Sequence, residues 1–119
     1  MFIASSAARV WAADLPTVSA KPKPAPMVTF IELGSVNCVP CRAMQPVMEE
    51  VRKKYGEQVN VVFHDVWTSA GELYGRNFKI KVIPTQVFLD AKGKEYFRHE
   101  GFFPAEELYK VLKIGGVKL

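Results

Sequence analysis

With 119 residues, the chain has room for one domain with a modest core. Its 49% hydrophobic and 24% charged content fits a folded globular protein and excludes a disordered or fibrous one. The net charge of +4 comes from lysines and arginines scattered among acids, without the aromatic clustering of a nucleic-acid surface, so no nucleic-acid partner is expected.

Residues 1–26 stand apart from the rest. An alanine-rich start leads to Val10-Trp11-Ala12, which has the small-residue character of a secretory cleavage region, but no basic segment precedes it and Ser5, Ser6 and Arg9 break its apolar part. It reads either as a signal lacking its front end or as a plain flexible terminus, with the balance leaning slightly to an extracytoplasmic, periplasmic place over the cytoplasm. The stretch Lys21-Pro22-Lys23-Pro24-Ala25-Pro26 predicts an extended tether. No run approaches the ~20 apolar residues of a membrane span. The folded domain is therefore expected over 27–119, as a monomer.

Within it, Met27, Val28, Phe30, Ile31 and Leu33 form a nearly continuous apolar run that predicts a central strand buried on both faces. Gly34 and Ser35 break it. Beyond the cysteines, Met44, Val47, Met48, Val51 and Tyr55 recur at three- and four-residue steps, the period of an amphipathic helix, which Gly56 ends. The β-branched and aromatic run 59–63 predicts a second strand, parallel to the first in a βαβ unit.

Ser69 with Glu72 three residues on carries the signature of a capping box for a helix over 70–78. After Pro84, runs 85–89 and 95–98 flank Asp90-Ala91-Lys92-Gly93 and predict an antiparallel hairpin. Pro104 sits at the start of a last helix whose stripe is Leu108, Val111 and Leu112; Glu106 and Glu107 suit its positive end, and Gly115 and Gly116 stop it. The predicted order is strand, helix, strand, helix, hairpin, helix: an α/β fold with a mixed sheet flanked by helices.

The chain's two cysteines, Cys38 and Cys41, are separated by two residues, too near in sequence to staple distant loops. Their position between a buried strand and a helix start has a direct chemical use. A helix N-terminus offers unpaired N–H groups and partial positive charge that stabilise a thiolate at Cys38, which makes it the nucleophile. Cys41, one turn into the helix, is placed to attack a mixed disulfide and resolve it. A structural zinc site would need four ligands; there is no second cysteine pair, and His64 and His99 lie far off in the chain. Two inert core cysteines are the other alternative, with no reason to sit at this junction.

Cys38-Val39-Pro40-Cys41, Pro46 five residues after the second cysteine, Ile83-Pro84-Thr85 and Gly101 together resemble the thioredoxin superfamily, over about 27–114. The resemblance implies a thioredoxin-like three-layer α/β/α fold, with the parallel βαβ unit and the antiparallel C-terminal hairpin in one mixed sheet. It also implies a cis bond before Pro84, facing the cysteines, with Ile83, Pro84 and Thr85 presenting backbone to an extended substrate. On sequence alone a cis bond is uncommon before proline, and Pro84 reads as a strand-starting proline, acceptable at a sheet edge.

Glu32 is an acid inside an apolar strand, six residues before Cys38. A lone buried carboxylate is costly unless neutral or paired. Similarity to thioredoxins, which carry a buried acid at the matching position, implies that Glu32 accepts the proton of Cys41; the competing assignment is an exposed residue on an edge strand. Asn37 and Val39 depart from the family pattern, which has Trp and Gly there. Pro40 has no N–H and so removes one donor to Cys38, which favours a reducing pair. His64 has a conceivable catalytic role against that of a half-buried strand histidine, and Trp67, Phe102 and Phe103 are candidates for a rim or for core.

These readings make the chain a protein-disulfide reductase that needs no metal or organic cofactor beyond its Cys38–Cys41 disulfide. Its partners would be protein disulfide substrates and an upstream donor, either a membrane thiol reductase or a thioredoxin reductase. The alternatives are a disulfide oxidase or isomerase, and a binding module whose thiols are incidental or hold a soft metal such as Cu(I).

Overall fold

The computed structural model describes residues 25–119; residues 1–24, and with them the signal and most of the tether expected there, lie outside the described part. Four strands, β1 (Val28–Gly34), β2 (Val59–Asp65), β3 (Thr85–Leu89) and β4 (Glu95–Glu100), form one sheet in the order β2-β1-β3-β4. β1 is central, parallel to β2 and antiparallel to β3; β3 and β4 make the antiparallel hairpin. The three helices are α1 (Val39–Tyr55), α2 (Ser69–Asn77) and α3 (Ala105–Ile114).

Alternation along the strands sorts side chains between two layers. Val28 and Phe30 of β1 and Phe88 of β3 face α1 and α3, where they meet Met44, Val47, Met48, Val51, Leu108, Val111 and Leu112. Burial of each such side chain stabilises the fold by roughly 1.5–3 kcal/mol. Phe30 and Phe88 stack with centroids 5.1 Å apart. The opposite face carries a smaller cluster of Ile31, Leu33 and Val87, closed by Val66, Phe78 and Ile80 around α2. The predicted class, a mixed sheet between helices, is the observed one.

Element bounds differ from the sequence expectation where pairing or capping decides. β2 continues to Asp65 because Leu33 and Gly34 still offer partners to His64 and Asp65. β4 continues to Glu100 because Gln86 and Thr85 pair with His99 and Glu100. The cap of α2 is Thr68 in place of the expected Ser69. Thr68 Oγ1 accepts from Gly71 N–H at 3.0 Å and donates to the Asp65 carbonyl at 2.7 Å, so it ties the helix to the end of β2. Ser69 is the first residue of the helix, and Glu72 salt-bridges Arg76 instead of closing a capping box.

The other terminators behave as their residue types dictate. Gly56 ends α1 at φ +56° and Gly93 closes the hairpin turn at φ +83°, both in the left-handed region. Pro104 caps α3 from the position just before its first helical residue.

Candidate active site

At the carboxyl end of β1 the chain leaves the sheet through Gly34-Ser35-Val36-Asn37 and enters α1 at Cys38. Two groups hold this loop. Asp65, at the adjacent end of β2, accepts from Val36 N–H at 3.3 Å and from Trp67 N–H at 3.0 Å, and Ser35 Oγ accepts from Asn37 N–H at 3.2 Å. Partial desolvation raises the Asp65 carboxyl, but the N–H groups of Trp67 and Val36 and the Ser35 hydroxyl outweigh it and hold it below its ordinary range.

Cys38 is the N-cap of α1, with φ −106° and ψ 128°, and its sulfur accepts from Cys41 N–H at 3.3 Å. A cap side chain ordinarily accepts from the second or third residue of the helix. Here the second is Pro40, which has no N–H, so a single backbone donor reaches the Cys38 sulfur. Cys38 and Cys41 are joined as a disulfide with Cα atoms 5.1 Å apart. Cys38 keeps 8% of its surface and Cys41 none, so an incoming group reaches Cys38 and not its partner. Asn37, Val39 and Pro40 are exposed around it.

Glu32 lies beneath the pair. It is wholly buried on the central strand, which removes the edge-strand alternative. A Cβ at Gly34 would stand 2.9 Å from Cys41 Sγ and 3.7 Å from Glu32 Oε2, so the sulfur and the carboxyl border the same space, which the glycine leaves open. Glu32 Oε1 accepts from the Gln86 amide at 3.1 Å, while Oε2 has no protein partner. Burial pushes the Glu32 carboxyl up to about 8, with the Gln86 hydrogen bond opposing the rise.

Thr85 pairs with Leu33, which puts Ile83 and Pro84 at the same end of the sheet as the cysteine loop. The Ile83–Pro84 peptide is cis. Pro84 and Thr85 are buried and Ile83 half-buried; Thr85 Oγ1 donates to the Val82 carbonyl at 2.7 Å, and Gly101 N–H donates to the Pro84 carbonyl at 2.7 Å. Val36, Trp67, Val82 and Phe102 on the loops at this end, with Val39 at the start of α1, are all exposed and supply apolar surface. Phe103, in contrast, is core.

Of the remaining candidates, His64 pairs with Leu33 and so faces α2, where it stacks on Tyr74 at 3.7 Å. It stands on the other side of the sheet from Glu32. His99 is not isolated from the site, although its sequence distance suggests so: Gln86 Oε1 joins it to the Glu32 hydrogen bond, 2.8 Å from His99 Nδ1. Gln86 and His99 carry no sequence signal of their own, because a cross-strand pair is visible only once strand order and register are known. Among the described residues no group of three or more His, Cys, Asp or Glu side chains is placed to hold a metal, and no helix is long and apolar enough to cross a membrane.

The family model of the thioredoxin-like domain matches residues 12–115. The chain belongs to the thioredoxin-like family. Relatives within it include the chloroplastic thioredoxin Y of rice, 33% identical over 71% of this chain, and a thioredoxin of Mycolicibacterium smegmatis, 36% identical over 49%. The chain spans about half the length of these two curated relatives, 48% and 52%. Among solved structures, thioredoxin-2 of the malaria parasite, described as a component of its protein secretion machinery, superposes with a TM-score of 0.68. It is 21% identical and the match covers 80% of this chain and 89% of that one. That likeness shows the thioredoxin-like fold.

Proposed function

We propose that this thioredoxin-like protein is a thiol-disulfide oxidoreductase working mainly as a reductase of protein disulfides. The Cys38 thiolate attacks a substrate sulfur, forming a mixed disulfide and releasing the first substrate thiolate. Glu32 carboxylate takes the proton of Cys41, and the Cys41 thiolate attacks Cys38 Sγ, releasing the second substrate thiolate and leaving the Cys38–Cys41 disulfide. Two electrons pass from the dithiol to the substrate, and no metal or organic cofactor takes part. Ile83, Pro84 and Thr85, with the apolar rim of Val36, Val39, Trp67, Val82 and Phe102, receive an extended segment of the substrate polypeptide.

The observation that carries the direction is the single N–H donor at Cys38. Fewer donors mean a less stabilised thiolate, hence a less stabilised reduced form and a more reducing couple. The expected potential lies near the thioredoxin value of about −270 mV, far from the about −120 mV of a strong oxidase. Equilibration of the pair with a glutathione buffer measures it. A value near the second figure would make the protein an oxidase. The reduced pair is then regenerated by a membrane thiol reductase outside the cytoplasm or a thioredoxin reductase within it. Exposed Asn37 and Val39, in place of the family's Trp and Gly, support a narrower substrate range than a general thioredoxin's.

A further inference from the structure

The register of the sheet lines up one transverse row across all four strands: Phe63 of β2, Glu32 of β1, Gln86 of β3 and His99 of β4. All point to the α1 layer, and three of the four are polar. Gln86 is fully buried and both ends of its amide are engaged, Nε2 donating to Glu32 Oε1 at 3.1 Å and Oε1 lying 2.8 Å from His99 Nδ1. The His99 ring is fixed in turn by stacking on buried Phe103, with centroids 4.0 Å apart and planes 8° from parallel. Such an arrangement exceeds what a buried acid alone requires, since one donor would have served.

With the Gln86 amide oriented as it stands, nitrogen to Glu32 and oxygen to His99, the donor and acceptor inventory of the row fixes every role. With Gln86 Oε1 toward His99, the imidazole must donate from Nδ1. With Gln86 Nε2 toward Glu32, Oε1 of the carboxyl can only accept, so a proton on Glu32 resides on Oε2. That is the oxygen that borders, together with Cys41 Sγ, the space over Gly34. Turning the amide over would reverse every role. Gln86 oxygen would then face Glu32 and require the proton on Oε1, while Gln86 nitrogen would face His99 and require a bare Nδ1.

We infer that His99 and Gln86 are a positioning pair for the Cys41 proton transfer: the His99 Nδ1–H locks the Gln86 amide, and the locked amide keeps the proton-carrying oxygen of Glu32 turned toward Cys41. Neither residue touches substrate. Glu32 has Gln86 of β3 and Phe63 of β2 beside it in the row, and Cys41 of α1 borders the same space over Gly34; the charged neighbours of His99 on β4, Arg98 and Glu100, alternate to the other face of the sheet. The amide does not carry the proton across. It selects where the proton sits. The inference rests on Glu32 as the acceptor for Cys41, but its test reads the row itself.

The test is a carboxyl-carbon NMR titration of Glu32 in the oxidised protein. His99→Phe keeps the stacking on Phe103 and deletes the donor; the amide is then free to turn its oxygen to Glu32, which favours the protonated acid. The midpoint is expected to rise by about one pH unit. His99→Asn, whose amide nitrogen can take the place of Nδ1, is expected to restore it. Gln86→Leu is expected to raise the midpoint as well, and Gln86→Leu with His99→Phe no further than Gln86→Leu alone, because the two act through one hydrogen bond. An unchanged midpoint in His99→Phe, or additive shifts, overturns the positioning pair. Failure of the underlying assignment shows separately, as a Cys41 resolution rate that Glu32→Gln leaves unaltered.

Discussion

The backbone N–H of Cys41 donates to the sulfur of Cys38 across 3.3 Å, and Pro40 between them offers nothing. One helix N-terminus therefore presents one donor to the nucleophile where two positions are available. Pro40→Ala supplies the missing N–H. A hydrogen bond to a charged group contributes roughly 1.5–3 kcal/mol, so the Cys38 thiol of the reduced protein is expected to titrate about one unit lower and the couple to become more oxidising. The pH dependence of Cys38 alkylation measures the first effect. An unchanged titration would mean that the N–H at position 40 does not aim at the sulfur.

Glu32 links the same site to stability. Its pKa in the fold, about 8, stands above its ordinary 4.5, so between these values the folded protein holds a proton that the unfolded chain has released. The contribution is fully present below about 4.5 and is lost as pH rises to about 8, by on the order of 4 kcal/mol. Glu32→Gln cannot ionise. Its stability in urea is expected to gain on that of the wild type steadily over that window, because only the wild type loses the Glu32 contribution. Parallel curves for the two proteins would contradict an acid that is buried and protonated.

Gly34 separates Cys41 from Glu32. Alanine there would bring a Cβ to 2.9 Å from Cys41 Sγ and 3.2 Å from Cys41 Cβ, and a β1 backbone at the centre of the sheet has little freedom to retreat. Gly34→Ala is expected to cost about 1–3 kcal/mol by overpacking and to slow the resolving step by displacing Cys41. Urea denaturation and stopped-flow kinetics read the two effects independently.

Thr68 is the residue that anchors α2 to the end of β2. Thr68→Ala removes the bond to Gly71 N–H and that to the Asp65 carbonyl, with an expected loss of about 1–2 kcal/mol. Ser69→Ala is expected to change stability by no more than about 0.5 kcal/mol. The reverse order, by thermal unfolding, would restore Ser69 as the cap.

What the sequence made legible was local. The apolar run before Gly34, the helical period from Met44 to Tyr55 and the hairpin around Gly93 each state their element in neighbouring residues. The cysteine pair with Pro40 and Pro84 carries the family resemblance. Thr68 was hidden because it stands beside Ser69, an equally good cap with Glu72 in the right place. The choice between them is made by the Asp65 carbonyl and by Gly71, whose Cβ would run into that carbonyl. Gln86 and His99 were hidden for a different reason. They meet Glu32 through register, and a glutamine and a histidine on two strands give no local sign that they share a row.

The most direct test of the account is the reaction of reduced Cys41→Ala with a small model protein disulfide, followed by intact-mass measurement. Without a resolving thiol, Cys38 is predicted to hold the substrate in a stable one-to-one mixed disulfide, while Cys38→Ser, with Cys41 wholly buried, forms none. No adduct with Cys41→Ala, or an equal adduct with Cys38→Ser, would contradict the assignment of Cys38 as nucleophile and with it the proposed oxidoreductase.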